Sequence, residues 1–478
     1  MFQVVAPGNT AAHIEVRSRM ELKGKKVLVV GLGKSGLAAA LFLRRRGAQV
    51  TVSDLRSAAA LSKEIPSLLE AGIAVEAGGH GLLTFRRQDL IVVSPGVPLL
   101  TPELVQVRNL GLPVIGELEL AARFLKGDVL AITGSNGKTT TTTLCGEIFS
   151  ASGLKTLIGG NIGVPVIEMV DQSAAGTWSV LEVSSFQLET TESFHPRVAI
   201  ILNITPDHLD RHGTFENYVA MKEKIFANQT EEDYLILNGD DPVAQQAASR
   251  AKSQVFWFSR SKIVRRGALL MNGMVMFRAS EQASPRPVLP LADIPLKGEH
   301  NVENVLAAVC AACLVEIPAE VIARTVASFH AVEHRLEFVA AIRGVDYYND
   351  SKATNVDATA KAIASFPGNI HLILGGKDKN SDYTQLHALL KERVKVVYTI
   401  GSAAEKIEGQ IGRVTKVVPV GTLAAAVDRA ATEAVAGDVV LLAPACSSFD
   451  QFENYEHRGR VFKQAVMARQ GAGVWQNA

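Results

Sequence analysis

Thr133-Gly134-Ser135-Asn136-Gly137-Lys138-Thr139 is a run whose residue types suit the gripping of phosphate. Amides of such a glycine loop converge on an anion, a lysine neutralises charge, and a hydroxyl opening the next helix can reach Mg²⁺. The run departs from a full Walker A pattern, because the residue five before Gly137 is Ile132 rather than glycine. Its working parts, Gly134 to Thr140, remain. An apolar strand precedes them and a threonine-rich helix follows, so the segment reads as the phosphate loop of an ATP-using enzyme.

A second glycine turn, Gly31-x-Gly33-x-x-Gly36, follows another strand, and Asp54 ends the strand after it. By itself this fits a dinucleotide fingerprint and an oxidoreductase. The physics is less specific, since the turn can aim amides at any pyrophosphate. A tight turn that binds nothing is the plainer alternative.

Further groups follow in order. Glu182 ends a strand, and Asp207-His208-Leu209-Asp210-Arg211-His212 and then Lys222 come after it. Glu182 is a hard oxygen donor suited to Mg²⁺, whereas His208 is a less usual ligand. Alone, His208 would be an ordinary loop residue, but it stands just past a strand at the phosphate loop's sheet edge. Asn349 to Asn355 and Gly375-Gly376-Lys377-Asp378-Lys379 are strand-end loops rich in lysine, with hydroxyls in the first. They suit a small dicarboxylate, against the plain alternative of solvated lysines. Ser447 to Phe452 adds hydroxyl donors after another strand.

These groups need parallel sheets to present them. Lys26 to Val30, Leu37 to Arg46 and Ala48 to Ser53 predict a βαβ unit, extended by strands at Leu90 to Val93 and Pro113 to Ile115. A second block runs from strand Asp128 to Ile132 through strands near Ser179 to Val183 and Val198 to Asn203 to helix Asn301 to Val315. A third has strands at Val345 to Tyr348, His371 to Leu374, Val394 to Ile400, Lys416 to Val420 and Val439 to Leu442. The expected fold is α/β in three domains, each a mainly parallel sheet with flanking helices: Rossmann-like, then P-loop-type, then Rossmann-like. The boundaries expected are 1–117, with an extension over 1–22, then 118–331 and 332–478.

Bulk properties agree with an ordinary globular chain. Its 478 residues exceed what one core usually serves, and 47% hydrophobic with 20% charged content is unremarkable. Forty-nine Lys and Arg against 48 Asp and Glu supply no electrostatic reason to expect nucleic acid or an anionic membrane. The longest apolar stretch, Val305 to Val315, is too short to span a bilayer, and the charged first twenty residues are unlike a secretory signal. A cytoplasmic location is expected. Four cysteines make no disulfide framework, and Cys310-Ala-Ala-Cys313 lies in an alanine-rich helical run that predicts buried packing.

The ordered motifs resemble those of the Mur ligase family, most closely its D-glutamate-adding members, over nearly everything after residue 24. They are residues 133–139, Glu-Val-Ser-Ser-Phe-Gln-Leu at 182–188, Asn-Ile-Thr-Pro-Asp-His-Leu-Asp-Arg at 203–211, Glu-His-Arg at 333–335, residues 349–355 and Ser-Phe-Asp-Gln-Phe at 448–452. The resemblance reassigns the first glycine turn from NAD to uridine diphosphate. It implies Lys34, Ser35, Asp54, Arg56, Ser94 and Gly96 around the UDP, and Asn161, Ser184 and Gln187 along the muramoyl-alanine arm. Lys138 would contact ATP phosphates, with Thr139 and Glu182 on one Mg²⁺ and His208 and Lys222 on a second, Lys222 as a carbamate. Asn304, Arg335 and Asp350 would hold ATP. Lys352, Thr354, Lys379, Ser448, Phe449 and Tyr455, where many members carry Phe, would hold D-glutamate.

The implied reaction joins D-glutamate to UDP-N-acetylmuramoyl-L-alanine in cytoplasmic peptidoglycan precursor synthesis, and a monomeric enzyme is expected. ATP first converts the alanine carboxylate to an acyl phosphate, which the amine then attacks. Keeping water out would need the third domain to close over the second. A relative adding another amino acid is the nearest alternative. An NAD-dependent oxidoreductase or a nucleotide-binding scaffold would leave the metal and lysine loops without use.

Overall fold

A computed structural model describes residues 20–330 and 332–472. The extension expected over residues 1–22 lies outside them except for its last three residues, of which Leu22 is buried in the first core and Met20 packs against that core.

Three sheets organise the chain. The first has five parallel strands, ordered Ala74–Ala77, Gln49–Asp54, Lys26–Val30, Leu90–Val93, Val114–Gly116. Val27 to Val30 and Leu90 to Val93 are buried without alternation, the pattern of strands covered on both faces. The strand order reverses at Lys26–Val30, the kind of switch point at whose carboxyl edge ligands of parallel α/β sheets bind.

The second sheet has nine strands. Its centre places Val198–Ile201, Asp128–Thr133 and Trp178–Glu182 side by side and parallel, with Ile132 opposite Glu182 and Thr133 opposite Ile201. This register brings the phosphate loop, Glu182 and the segment leading to His208 to one sheet edge. The far side of the sheet was not foreseen. Tyr234–Asn238, Gln254–Ser259 and Gly267–Met271 continue it, and Met274–Arg278 and Arg286–Pro290 finish it as antiparallel strands. The turn Asn272-Gly273 has positive φ at both residues, as a two-residue hairpin requires.

The third sheet has six strands, all parallel except the edge strand Glu337–Ile342, which pairs antiparallel with Val345–Asn349. Two apolar clusters cover its faces. The expected α/β architecture of three mainly parallel sheets with flanking helices is thus the one observed.

The chain forms two compact units. One runs to Asp293 and includes Asn304–Val326; the other comprises Ile294–Glu303 and the chain from Ala327 onward. The first unit carries the first two sheets and the second carries the third. All four cysteines are buried and unbridged, and Cys310 and Cys313 lie in helix Glu299–Leu314. Among the described residues no helix is long and apolar enough to cross a membrane.

Candidate active site

In the first sheet, the glycine turn opens helix Lys34–Arg45. A Cβ at Gly36 would fall 1.9 Å from the Gly31 carbonyl oxygen, so helix and turn approach only without a side chain there. Ser94 Oγ donates to that carbonyl at 2.7 Å. Asp54 accepts from the Leu32 amide at 2.7 Å and from the Arg56 backbone amide and guanidinium. Although its burial favours the neutral acid, these donors leave its carboxyl below the usual range. Lys34 and Gly96 face solvent and Ser35 is half-buried. Ser94 and Asp54 therefore shape the turn, beside which Lys34 is exposed and Arg56 is paired with Asp54.

In the second sheet, strand Asp128–Thr133 ends in the loop and helix Lys138–Ala151 follows. Gly137 is the residue before that helix, at φ +87°, and a Cβ on it would stand 2.2 Å from Asn304 Oδ1. Both facts require glycine. Asn304 is thereby placed directly against the phosphate loop. Asn203 pins the loop from the other side, accepting from the Asn136 amide at 2.8 Å and donating to the Asn136 carbonyl at 3.0 Å. Ser135 Oγ bonds the Thr205 carbonyl and lies 3.0 Å from the Tyr218 hydroxyl. Asn203 and Tyr218, outside the site inferred from sequence, thus connect the loop to the segment that carries His208.

Two lysine nitrogens converge on one carbonyl: Lys138 Nζ and Lys222 Nζ each donate to Gly134 O at 2.8 Å. Lys222 is 1% exposed and its Nζ stands 4.7 Å from the centre of the Tyr218 ring. Burial, reinforced by the Lys138 charge, pulls its amine well below the usual lysine range, against the opposing pull of Asp207 and Glu182. Thr139 Oγ1 donates to Glu182 Oε2 at 2.7 Å and Asn161 Nδ2 donates to Oε1 at 2.8 Å. Glu182, itself 1% exposed, thus joins the loop to the Asn161 segment. Thr140 is buried in the same helix.

His208 has φ +53°, at the start of the short helix Leu209–His212, and its ring meets Phe186 edge-on at 4.8 Å. Ser184 and Gln187 bond each other reciprocally as the cap of helix Ser185–Leu188. This cap fixes their backbone where the chain leaves Glu182.

The second unit gathers the remaining predicted groups. Asp350 is buried, which pushes its carboxyl up to about 7 despite the opposing charge of Arg335. The loops after two strands bond into one surface through Lys377 N to Ser447 O at 2.9 Å and the reciprocal bond at 3.1 Å. Ser448 is buried, Phe449 is 68% exposed, and Lys379, Thr354 and Lys352 are half-buried. Lys352 Nζ lies over the Tyr455 ring.

Sequence reading missed the residue that assembles this surface. Arg458 is fully buried; its Nε and Nη2 donate to Ser351 Oγ and O at 2.9 and 2.8 Å, and Nη1 donates to Cys446 O at 3.1 Å. Its burial lowers its pKa to about 10. An arginine at this depth ties the Asn349 to Asn355 loop to the Ser447 to Phe449 loop from beneath. Nothing in its local pattern, on a polar helix, marks it as buried.

Three family models match the chain in order: the Mur ligase MurD-like N-terminal domain over 25–116, the Mur ligase middle domain over 132–312, and the Mur ligase glutamate ligase domain over 334–446. The chain is 70% identical to the UDP-N-acetylmuramoylalanine--D-glutamate ligase of Acidobacterium capsulatum, covering 96% of this chain and 100% of that one. It is 60% identical to the ligase of the same name from Koribacter versatilis, covering 94% and 98%. In fold it is similar to the MurF ligase of Thermotoga maritima, solved with ADP, at a TM-score of 0.57 and 18% identity over 94% of this chain and 96% of that one. With all three models matched in sequence along one chain, and relatives this similar over almost its whole length, the chain belongs to the Mur ligase family.

Proposed function

We propose that this ligase uses ATP to join D-glutamate to UDP-N-acetylmuramoyl-L-alanine, releasing ADP and phosphate, in the cytoplasm and as a monomer. The choice of D-glutamate is supported by the names of relatives up to 70% identical. The choice of acyl activation is supported above all by the convergence of Lys138 and Lys222 on the Gly134 carbonyl, beside the Thr139–Glu182 pair.

In this reading the substrate's pyrophosphate lies on the Gly31 to Gly36 turn with Lys34, Ser35 and Arg56 toward it, near Asp54, Ser94 and Gly96. Its lactoyl-alanine arm runs past Asn161, Ser184 and Gln187 toward Glu182. Lys138 and the loop amides from Gly134 to Thr140 hold the ATP phosphates, Asn304 the base, Arg335 a phosphate and Asp350 the ribose. The alanine carboxylate attacks the γ-phosphorus and ADP leaves, giving an acyl phosphate. Lys138 counters charge on the transferred group as it moves. The D-glutamate amine then attacks the acyl carbon and phosphate leaves. Lys352, Thr354, Lys379, Ser448, Phe449 and Tyr455 hold D-glutamate, its carboxylates meeting the lysines and hydroxyls.

The hard oxygens of Thr139 and Glu182 fit Mg²⁺, and a buried carboxylate whose observed donors are a hydroxyl and an amide is suited to exchanging the hydroxyl proton contact for a cation. Two ions would be held, one by Thr139 and Glu182 and one by His208 and Lys222, and they would supply neutralisation of phosphate charge. An ammonium at Lys222 would oppose this. The lowered pKa of Lys222 favours the neutral amine, which can add CO₂ to become an anionic carbamate with oxygen donors.

The reading is tested by supplying ATP, Mg²⁺ and UDP-N-acetylmuramoyl-L-alanine with a panel of amino acids and following phosphate release. D-glutamate is expected to give the fastest release. Release with other amino acids but none with D-glutamate would overturn it.

A further inference from the structure

Arg211 lies where three parts of the first unit meet. It belongs to helix Leu209–His212, three residues past His208. Its Nη2 donates to the Val97 carbonyl at 2.9 Å and to Glu189 Oε2 at 2.7 Å, and its Nε donates to Glu189 Oε1 at 3.3 Å. The guanidinium carbon stands 5.2 Å from the centre of the Phe186 ring.

These partners belong to two stretches, the turn that ends at Val97 and the helix that carries Phe186 and ends at Glu189. Val97 closes a turn onto Ser94, its amide donating to the Ser94 carbonyl at 2.9 Å. That turn sits on the first glycine turn: Ser94 Oγ bonds Gly31 O, and a Cβ at Gly31 would stand 2.7 Å from Val97 Cγ2. Glu189 follows helix Ser185–Leu188, which carries Gln187 and is capped by Ser184. Phe186, on that helix, also packs edge-on against His208. One planar group therefore touches the pyrophosphate turn's support, the muramoyl-arm helix and the neighbour of His208.

We propose that Arg211 is a positioning residue that fixes the spacing between the pyrophosphate turn of the first sheet and the acyl-activating loops of the second. This rests on the function proposed above. A substrate that reaches from one sheet to the other can use binding at its UDP end to hold its carboxylate for attack only if that spacing is constant. The arginine fork is suited to this because it engages a carbonyl and a carboxylate at once in fixed geometry, which a lysine cannot reproduce. Its side chain is 16% exposed, so water competes weakly.

The test compares wild-type enzyme with Arg211→Gln and Arg211→Lys, using UDP as a ligand for the first sheet alone, ATP for the loop alone, and UDP-N-acetylmuramoyl-L-alanine as the ligand that spans both. Arg211→Gln should lower kcat with the spanning substrate about 30-fold, the scale of a small misplacement of reacting groups. The dissociation constant of UDP and the KM for ATP should change by less than about threefold, and Arg211→Lys should recover part of the kcat. Glu189→Gln should reproduce the pattern more weakly if Arg211→Gln does not fold. A loss of UDP affinity equal to the loss in kcat would overturn the proposal, since Arg211 would then merely shape the turn. Unchanged kcat would overturn it too. A wild-type enzyme that binds UDP but never turns over the spanning substrate would overturn the functional reading instead.

Discussion

Lys352 Nζ stands 3.7 Å from the centre of the Tyr455 ring, so the ammonium lies on the aromatic face rather than at the hydroxyl. The ring's quadrupole, which Phe shares, is what attracts the charge. Lys352 extends from the loop after Val345–Asn349, and Tyr455 opens the last helix, Tyr455–Ala472. The contact therefore orients a lysine assigned to D-glutamate from a neighbouring element.

Tyr455→Phe is accordingly expected to leave the KM for D-glutamate within about twofold of wild type, whereas Tyr455→Ala should raise it about five- to thirtyfold, the range of a partly desolvated cation–π contact. The KM for ATP should be unaffected by either. Steady-state kinetics with D-glutamate varied will decide, and a large effect of Tyr455→Phe would show that the hydroxyl matters instead of the face.

The hydroxyl-to-carboxylate bond between Thr139 and Glu182 leads to a metal prediction. Thr139→Val and Glu182→Gln should each raise the Mg²⁺ concentration needed for half-maximal turnover by about tenfold or more, because each removes an oxygen donor to a hard cation. Titration of Mg²⁺ at saturating ATP measures this, and an unchanged midpoint would remove the pair from the metal site.

Lys222 couples function to a stability cost. Its pKa is lowered by burial, so the folded state disfavours the charged form that the unfolded chain holds up to its ordinary pKa. The unfolded state binds more protons between the two values, and stability rises with pH across that window. Lys222→Met should abolish turnover while stabilising the ligand-free protein at pH 7 by about 1–3 kcal/mol, because it removes a buried amine whose protonated form, held by the unfolded chain, folding disfavours. The advantage should shrink as pH approaches about 10.5, the ordinary lysine value. Urea unfolding at pH 7 and pH 10 tests the sign.

Asp350 titrates in the opposite sense, its carboxyl pushed up to about 7 by burial. The folded state then binds more protons than the unfolded one between about pH 4 and 7, and the stability held below pH 4 is lost as pH rises through 7. Asp350→Asn should therefore be more stable than wild type at pH 8, with little difference near pH 4. If the ionised carboxylate accepts from the ATP ribose, wild-type KM for ATP rises as pH falls below 7 and the variant's does not. A parallel pH profile in both proteins would exclude that role.

The parts of the site that are local were legible in the residues. Gly134 to Thr140, the end-of-strand position of Glu182, and the apolar runs that became the central parallel strands depend on turn chemistry and hydrophobic pattern within a few residues of each other. Tyr234–Asn238 and Gln254–Ser259 were missed, and so were Gly267–Met271, Met274–Arg278 and Arg286–Pro290, although Asn272-Gly273 is a strong hairpin signal, because Gly267–Met271 reads as a plain apolar stretch and Arg286–Pro290 carries two prolines. Thr133 to Thr139 could be recognised as a phosphate loop, but not that Asn203 and Asn304 would clasp it from 67 or more residues away.

What the sequence by itself determined is the set of chemical groups and their order: a glycine loop with Lys138 and Thr139, an acid at Glu182, a histidine segment, and lysine-bearing strand ends. Only the tertiary structure decided which of them share an environment. Packing of helix Phe215–Glu223 against the phosphate loop set Lys222 beside Lys138 on one carbonyl, and packing buried the ionisable groups of Arg458 and Asp350. The physical reason is that side-chain type is a local property, whereas burial and the pKa that follows from it depend on everything folded around the group.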